Sequence, residues 1–313
     1  MIRFLKDWAL IIAILSGIVG YFAYVNIPFL DGTHALANQT VAVVQPLLLF
    51  CMLFLTFCRI NPKHLRLCGW HGWLLLFQGL CFTLPGICLL IYPENEYRVE
   101  IEGAMLCLIC PTATAAPVIV RKLGGNVGNI TTYTILINLL VAMLIPAMAP
   151  LVHPNPGVNF FTSAAIIMAK VFPLLLLPLV AAMLIRRLSP RLHFRLSHLA
   201  DLSFYLWAFA LCLAIVVSTR SIVHSTVGTE TMVWLVVISL LSCIVQFWFG
   251  RNIGAKYGDM ITAGQALGQK NTVLIIWMGY TFFTPVTSIV GGFYSIWHNV
   301  FNSWQIYKAR KKK

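Results

Sequence analysis

Two polar interruptions in an otherwise apolar chain hold the residue types that could do chemistry. The first reads Cys110-Pro111-Thr112-Ala113-Thr114-Ala115-Ala116-Pro117, and the second Gly264-Gln265-Ala266-Leu267-Gly268-Gln269-Lys270-Asn271-Thr272. Each proline removes a backbone donor and clashes with the preceding turn, so Pro111 and Pro117 should unwind a helix between them. In the second segment Gly268 and five polar side chains fall at the centre of an apolar stretch covering residues 257–283. Open backbone at such depth in a membrane is tolerated only where it lines a protein cavity. Half-helix N-termini at the breaks would offer free N–H groups to a carboxylate. The chemistry on offer is therefore recognition of a polar solute. No GxSxG, P-loop or dinucleotide fingerprint appears, and no acid–base pair converges on the breaks, so an enzyme is not expected. The histidines show no metal-ligand spacing, and no cofactor or metal is expected.

Lys270 is the most informative residue. A lysine at mid-membrane costs at least a few kcal/mol unless paired or solvated. The nearest acid in its span, Asp259, is eleven positions back. About thirteen residues separate Lys270 from either end of the span, roughly 20 Å of helix, too far to snorkel comfortably. A functional role is the better reading.

These segments need an apolar scaffold, and the composition supplies one. The chain has 313 residues, 59% hydrophobic and only 10% charged, with a mean hydropathy of +0.85. A soluble domain carries roughly 25% charged residues, so a soluble globular enzyme is excluded. Continuous apolar runs exclude a β-barrel. At about 20 residues per crossing, ten spans are expected, near 8–28, 38–58, 68–92, 101–122, 130–152, 160–185, 201–222, 231–250, 257–283 and 285–307. The first run follows Arg3 and Lys6, lacks a clear small-residue cleavage site, and reads as a retained span. Nine cysteines at irregular spacing give no disulfide framework. Cys107 and Cys110 read as helix packing.

The net charge of +13 would suggest nucleic acid in a soluble protein. Here the ten spans put eighteen of the 22 Lys and Arg on one face, including Arg59, Arg121, Arg186, Arg195, Arg251 and Lys308. The positive-inside rule then places both termini in the cytoplasm of a plasma or inner membrane, with the bilayer as partner and no nucleic acid. Glu94–Glu102, with four carboxylates on the opposite face, reads as a solvated loop.

The breaks fall in the fourth and ninth spans, about half a chain apart. Five spans per half is an odd number, so the second half (156–313) would be inverted relative to the first (1–155). Paired breaks in inverted repeats are the pattern of secondary transporters, with the site at the midplane.

With these residues in view, the chain resembles the bile acid:sodium symporter family. Cys110-Pro111-Thr112-Ala113-Thr114-Ala115 is similar to that family's C-P-G-G-T-A, and Gly268-Gln269-Lys270-Asn271 falls at its G-x-Q-N. Phe293-Tyr294-Ser295-Ile296-Trp297-His298-Asn299 is similar to its F-S-x-W-H-N. The resemblance implies an all-α membrane protein of ten helices. Spans 3–5 and 8–10 would form a core in which the broken spans 4 and 9 cross. Spans 1, 2, 6 and 7 would form a separate panel. Movement of core against panel would give alternating access to an organic anion, bile-salt-like or a smaller carboxylate. The resemblance also implies substrate contacts from Thr114, Asn271, His298 and Asn299. Thr112 adds a hydroxyl at the same break. Gln78 resembles a sodium ligand, and Thr134, with Thr131 and Thr132, lies near a sodium site.

The departures from the family matter more. A Ser-Asn pair of sodium ligands is replaced by Ala116 and Pro117, and neither offers the oxygen a hard cation needs. The family's glutamate in the ninth span is Ala266 here, with neutral Gln265 beside it, and its Gln is Lys270. The ammonium of Lys270, beside Gln269, is thus expected to stand in for sodium and help hold an anion. Desolvation disfavours the charged form, which opens proton coupling as well as sodium-independent exchange or uniport. The alternatives are an arsenite-type efflux carrier using Cys110, and a non-transporting sensor or scaffold on a transporter fold.

Overall fold

The computed structural model describes residues 8–311, apart from 61, 155 and 226. Arg3, Lys6, Lys312 and Lys313 of the basic face lie outside the described residues. The described residues form thirteen α-helices and two short 3-10 turns, with no β-strand among them. In order the helices are α1 Ala9–Asn26, α2 His34–Cys58, α3 Gly69–Ile91, α4 Arg98–Ile109, α5 Ala116–Leu123, α6 Val127–Val152 and α7 Phe160–Leu188. There follow α8 Pro190–Ser197, α9 Ala200–Val223, α10 Thr229–Ala255, α11 Met260–Gly268, α12 Thr272–Phe282 and α13 Ile289–Lys311.

Seven of these, α1, α2, α3, α6, α7, α9 and α10, are long and apolar enough to cross a membrane. They mark a multi-pass integral membrane protein. The expected fourth and ninth spans are each a pair of short helices, and neither half meets the crossing length alone. α13 is long but ends in Lys308, Arg310 and Lys311. Large apolar side chains also cover the outside, among them Val19 at 64% and Trp248 at 64% exposure. In water such a surface would be a liability; in lipid it costs nothing.

Two compact units divide the chain. One comprises Met1–Arg59 and Leu177–Thr226. In it α1 and α2 pack on α9, and α8 packs on α2. Gly17 lets α1 approach closely, since a Cβ there would lie 2.8 Å from the Cys212 carbonyl oxygen. The Arg59 guanidinium closes the end of α2 by donating to Leu199 O at 2.9 Å and Ser203 Oγ at 2.8 Å.

The other unit comprises Ile60–Leu176 and Val227–Lys313. Its densest packing is the hairpin of α10 and α11, turned at Gly258 with φ +70°. Gly250 and Gly254, four residues apart on α10, face Ala263 and Gly264 of α11. A Cβ at Gly250 would sit 2.6 Å from Ala263 O, and one at Gly254 2.5 Å from the Ala263 Cβ. Small residues at this spacing let helices approach to backbone contact, the main source of association in lipid.

Glu94–Glu102 departs from the solvated loop expected. α4 begins at Arg98, and Glu102 is fully buried. Its carboxylate accepts from Arg98 Nε at 3.0 Å, Thr287 Oγ1 at 3.1 Å and His153 Nε2 at 2.7 Å. Arg98 also donates to the carbonyls of Pro93 and Val152. Besides Arg98, one turn back, the distant residues His153 and Thr287 supply the compensation a buried carboxylate requires, so a local reading of the acidic run missed it.

Gly250→Leu should destabilise the unit by about 1–3 kcal/mol, the usual cost of overpacking. Gly20→Leu, where nothing lies within 4 Å of the added Cβ, should be near neutral. Thermal unfolding in detergent, followed by tryptophan fluorescence, compares the two.

Candidate functional site

The site is built where two helices stop. α4 ends at Ile109 because Cys110 precedes a proline, which disfavours the helical region. Cys110 accordingly takes φ −51°, ψ 138°. Pro117 then sits in the first turn of α5, where its missing N–H costs nothing. α11 ends at Gly268, and Gln269 is extended at φ −93°, ψ 106°. A Cβ at Gly268 would lie 2.4 Å from the Phe247 ring, so glycine is needed for this approach. Asn271 restarts the helix by capping α12, its side-chain oxygen accepting from Leu274 N–H at 3.3 Å.

The two extended segments cross and pair as an isolated antiparallel bridge between Thr112 and Lys270. Ala113 N–H donates to Gln269 O at 2.8 Å, and Asn271 N–H to Pro111 O at 2.9 Å. The side chains repeat the exchange. Thr112 Oγ1 donates to Ala266 O at 2.6 Å, four residues before Lys270. Lys270 Nζ donates to Leu108 O at 3.2 Å, four residues before Thr112. Each residue of the bridge thus reaches the terminal turn of the opposite half-helix.

Lys270 is 1% exposed. No ion pair recorded between described residues includes it. The ionisable groups that feel its charge are the thiols of Cys110, Cys107, Cys81 and Cys243. Its seat is the C-terminal end of α4, where the helix dipole concentrates negative charge. Gln78 shares that seat. Its Nε2 donates to Leu108 O at 2.6 Å, Ile109 O at 3.2 Å and Cys110 O at 3.3 Å, and its Oε1 accepts from the Tyr133 hydroxyl. A second glutamine–tyrosine pair stands nearby. Gln246 Nε2 donates to Cys107 O at 3.2 Å and to Tyr294 OH at 3.0 Å, and that hydroxyl donates to Gly268 O at 2.8 Å.

The other singled-out residues lie as follows. Pro111, Thr112, Gln269 and Asn271 are buried at the crossing, while Thr114 and Pro117 are half-buried and Ala115 is exposed. Thr114 is therefore the hydroxyl of this break that is not fully buried. His298 is buried, its Nδ1 accepting Lys270 N–H at 3.3 Å and its ring edge-on to Tyr294. Asn299 donates to Ser295 O at 2.7 Å within its own helix. Gln265 points toward α13, donating to Asn302 Oδ1 and Gln305 Oε1, both at 3.0 Å. Thr131, Thr132 and Thr134 donate to carbonyls one turn back. The Cys110 thiol is fully buried and donates to Asn271 O at 3.1 Å. Lys170 is exposed.

Tyr133, Gln246 and Tyr294 were missed from sequence. A glutamine inside an apolar span was the available signal for Gln246, as it was for Gln78. Asp259 was noted only as a distant acid. It accepts from Asn129 Nδ2 at 2.7 Å and Trp70 Nε1 at 3.3 Å, tying α3 and α6 to the start of α11.

In comparison with known proteins, no family model and no curated sequence matches this chain.

Gln78→Leu should destabilise the protein by about 1–3 kcal/mol, because it strips donors from buried carbonyls and an acceptor from Tyr133. Tyr133→Phe should cost less, and the double variant less than the sum, as expected for residues in one network. A double-mutant cycle by thermal unfolding measures the coupling; strict additivity would contradict it.

Proposed function

We propose that this protein is a secondary transporter for an organic anion, of the ten-helix bile acid:sodium symporter type, working by alternating access without sodium. The observation that carries the reading is the ammonium of Lys270 at the C-terminal end of α4, buried and without a carboxylate. In transporters with broken helices, such ends and the unwound carbonyls beside them hold the coupling cation. Here a covalently attached cation occupies that kind of place. A buried charge left uncompensated is strongly destabilising, so an anionic solute at the crossing, or release of a proton, completes the site. Thr114 and the exposed backbone at Ala115 offer the approach.

Other features support the inverted repeat. The reciprocal reach of Thr112 to Ala266 O and Lys270 to Leu108 O relates positions 158 apart in both pairs, the signature of a local two-fold axis. Gln78 with Tyr133, and Gln246 with Tyr294, join the third and fifth spans of each half in turn. The division of the chain supports the core-and-panel reading, since Met1–Arg59 with Leu177–Thr226 takes in spans 1, 2, 7 and the end of span 6. The fully buried Cys110 thiol, engaged with Asn271 O, favours an organic anion over arsenite. The basic face is read as cytoplasmic, with both termini on it.

Uptake of bile-salt conjugates and smaller carboxylates into proteoliposomes tests the function. Replacing sodium by choline should leave uptake unchanged, and a strict sodium requirement would sink the proposal. Lys270→Met should lower uptake by about tenfold or more, since a contact to a charged group contributes roughly 1.5–3 kcal/mol. Lys170→Met, on the exposed surface, should not.

A further inference from the structure

α13 carries Ser295, His298, Asn302 and Gln305 at intervals of three, four and three residues. Helical spacing of this kind puts all of them on one side. They are 0%, 5%, 4% and 8% exposed, so the stripe is turned into the protein. α11 meets it through Gln265, whose amide bridges Asn302 and Gln305. At its inner end the stripe touches the crossing, where His298 accepts the Lys270 N–H. At its outer end it reaches the turn bearing Lys308, Arg310 and Lys311. The ten steps from Ser295 to Gln305 rise about 15 Å, half of a hydrocarbon core about 30 Å thick.

Several polar atoms along this stripe have no partner. Ser295 Oγ, Asn302 Nδ2, Gln265 Oε1 and Gln269 Oε1 are all buried without a protein hydrogen bond. Each such atom is destabilising if left dry. Native structures satisfy buried polar groups almost without exception, and ordered water is the usual remedy where several converge. These four lie on two facing elements and on the break itself.

We propose that α11 and α13 enclose a file of water running from the basic face of the protein to the helix crossing. This deepens the reading of Lys270 as the fixed cation and rests on it. Water at the crossing gives the ammonium an exchange partner: the nitrogen keeps its electron pair, and the proton leaves as hydronium along the file. The ionisable groups around Lys270 are Cys81 of α3, Cys107 and Cys110 at the end of α4, Cys243 of α10, and Tyr294 and His298 of α13. None is a carboxylate.

Radiolytic hydroxyl footprinting of the full chain in lipid nanodiscs, without sodium or added solute, tests the file. Radicals form from bound water and oxidise what it touches. His298 should be modified several-fold faster than Met278, which is intrinsically more reactive but fully buried in α12. Asn302→Leu should bring His298 down to the Met278 rate, while Asn302→Ser, which leaves room for water, should preserve it. Gln265→Leu repeats the block from the opposite wall if Asn302→Leu does not fold. His298 modified no faster than Met278, or a rate unmoved by both leucine variants, would overturn the proposal. Sodium-dependent uptake would instead overturn the sodium-free reading of transport and leave these rates untouched.

Discussion

The constraint on which the site depends is the demand for hydrogen bonds made by two helix ends in an apolar interior. A helix that stops leaves carbonyls behind and restarts with free N–H groups, and lipid supplies no partner for either. Here the two extended segments answer each other. Ala113 and Gln269, and Asn271 and Pro111, exchange backbone bonds at 2.8 and 2.9 Å. Neither break would be stable alone. Other features follow from holding this pair in place: glycine at 268 to admit the Phe247 ring, proline at 117 to open α5, and asparagine at 271 to cap α12.

The crossing is near-symmetric in geometry and asymmetric in charge. Thr112 and Lys270 do the same task, each reaching the last turn of the opposite half-helix, but one does it with a hydroxyl and the other with an ammonium. A positive group is favoured at a helix C-terminus, so the lysine is well placed at α4. It also buries an amine for which no ion pair is seen among the described residues. Gln78 and Gln246, each held by a tyrosine, brace the carbonyls around it without adding charge. The result is a rigid polar knot with one open side, at Thr114 and Ala115.

Some of this was legible in advance. Pro111 and Pro117 announced the first break, and Gly268 with its polar neighbours announced the second, because proline and glycine act on their own turn wherever they occur. The apolar runs announced the helices for the same local reason. Other readings went astray where a residue's fate depended on a distant partner. Glu102 was read as part of a solvated loop and is buried, because Arg98, one turn back on α4, is joined there by His153 and Thr287 from separate elements. Gln265, the neutral neighbour of Ala266, has partners about forty positions away, bridging α11 to Asn302 and Gln305. The Thr112 hydroxyl, expected at the break, donates to Ala266 O on the opposite half-helix, a partner 154 positions away.

By itself the sequence determined the solvent and the material: an all-helical chain for a membrane, broken twice, with Lys270 at the second break. These follow from hydropathy, periodicity and backbone stereochemistry, which act over a turn or two. Only the tertiary structure decided that the breaks lie against each other and that Lys270 is seated on the Leu108 carbonyl. Those outcomes join residues about 160 positions apart. They are set by which buried polar groups find partners once the helices pack, and no local pattern records that.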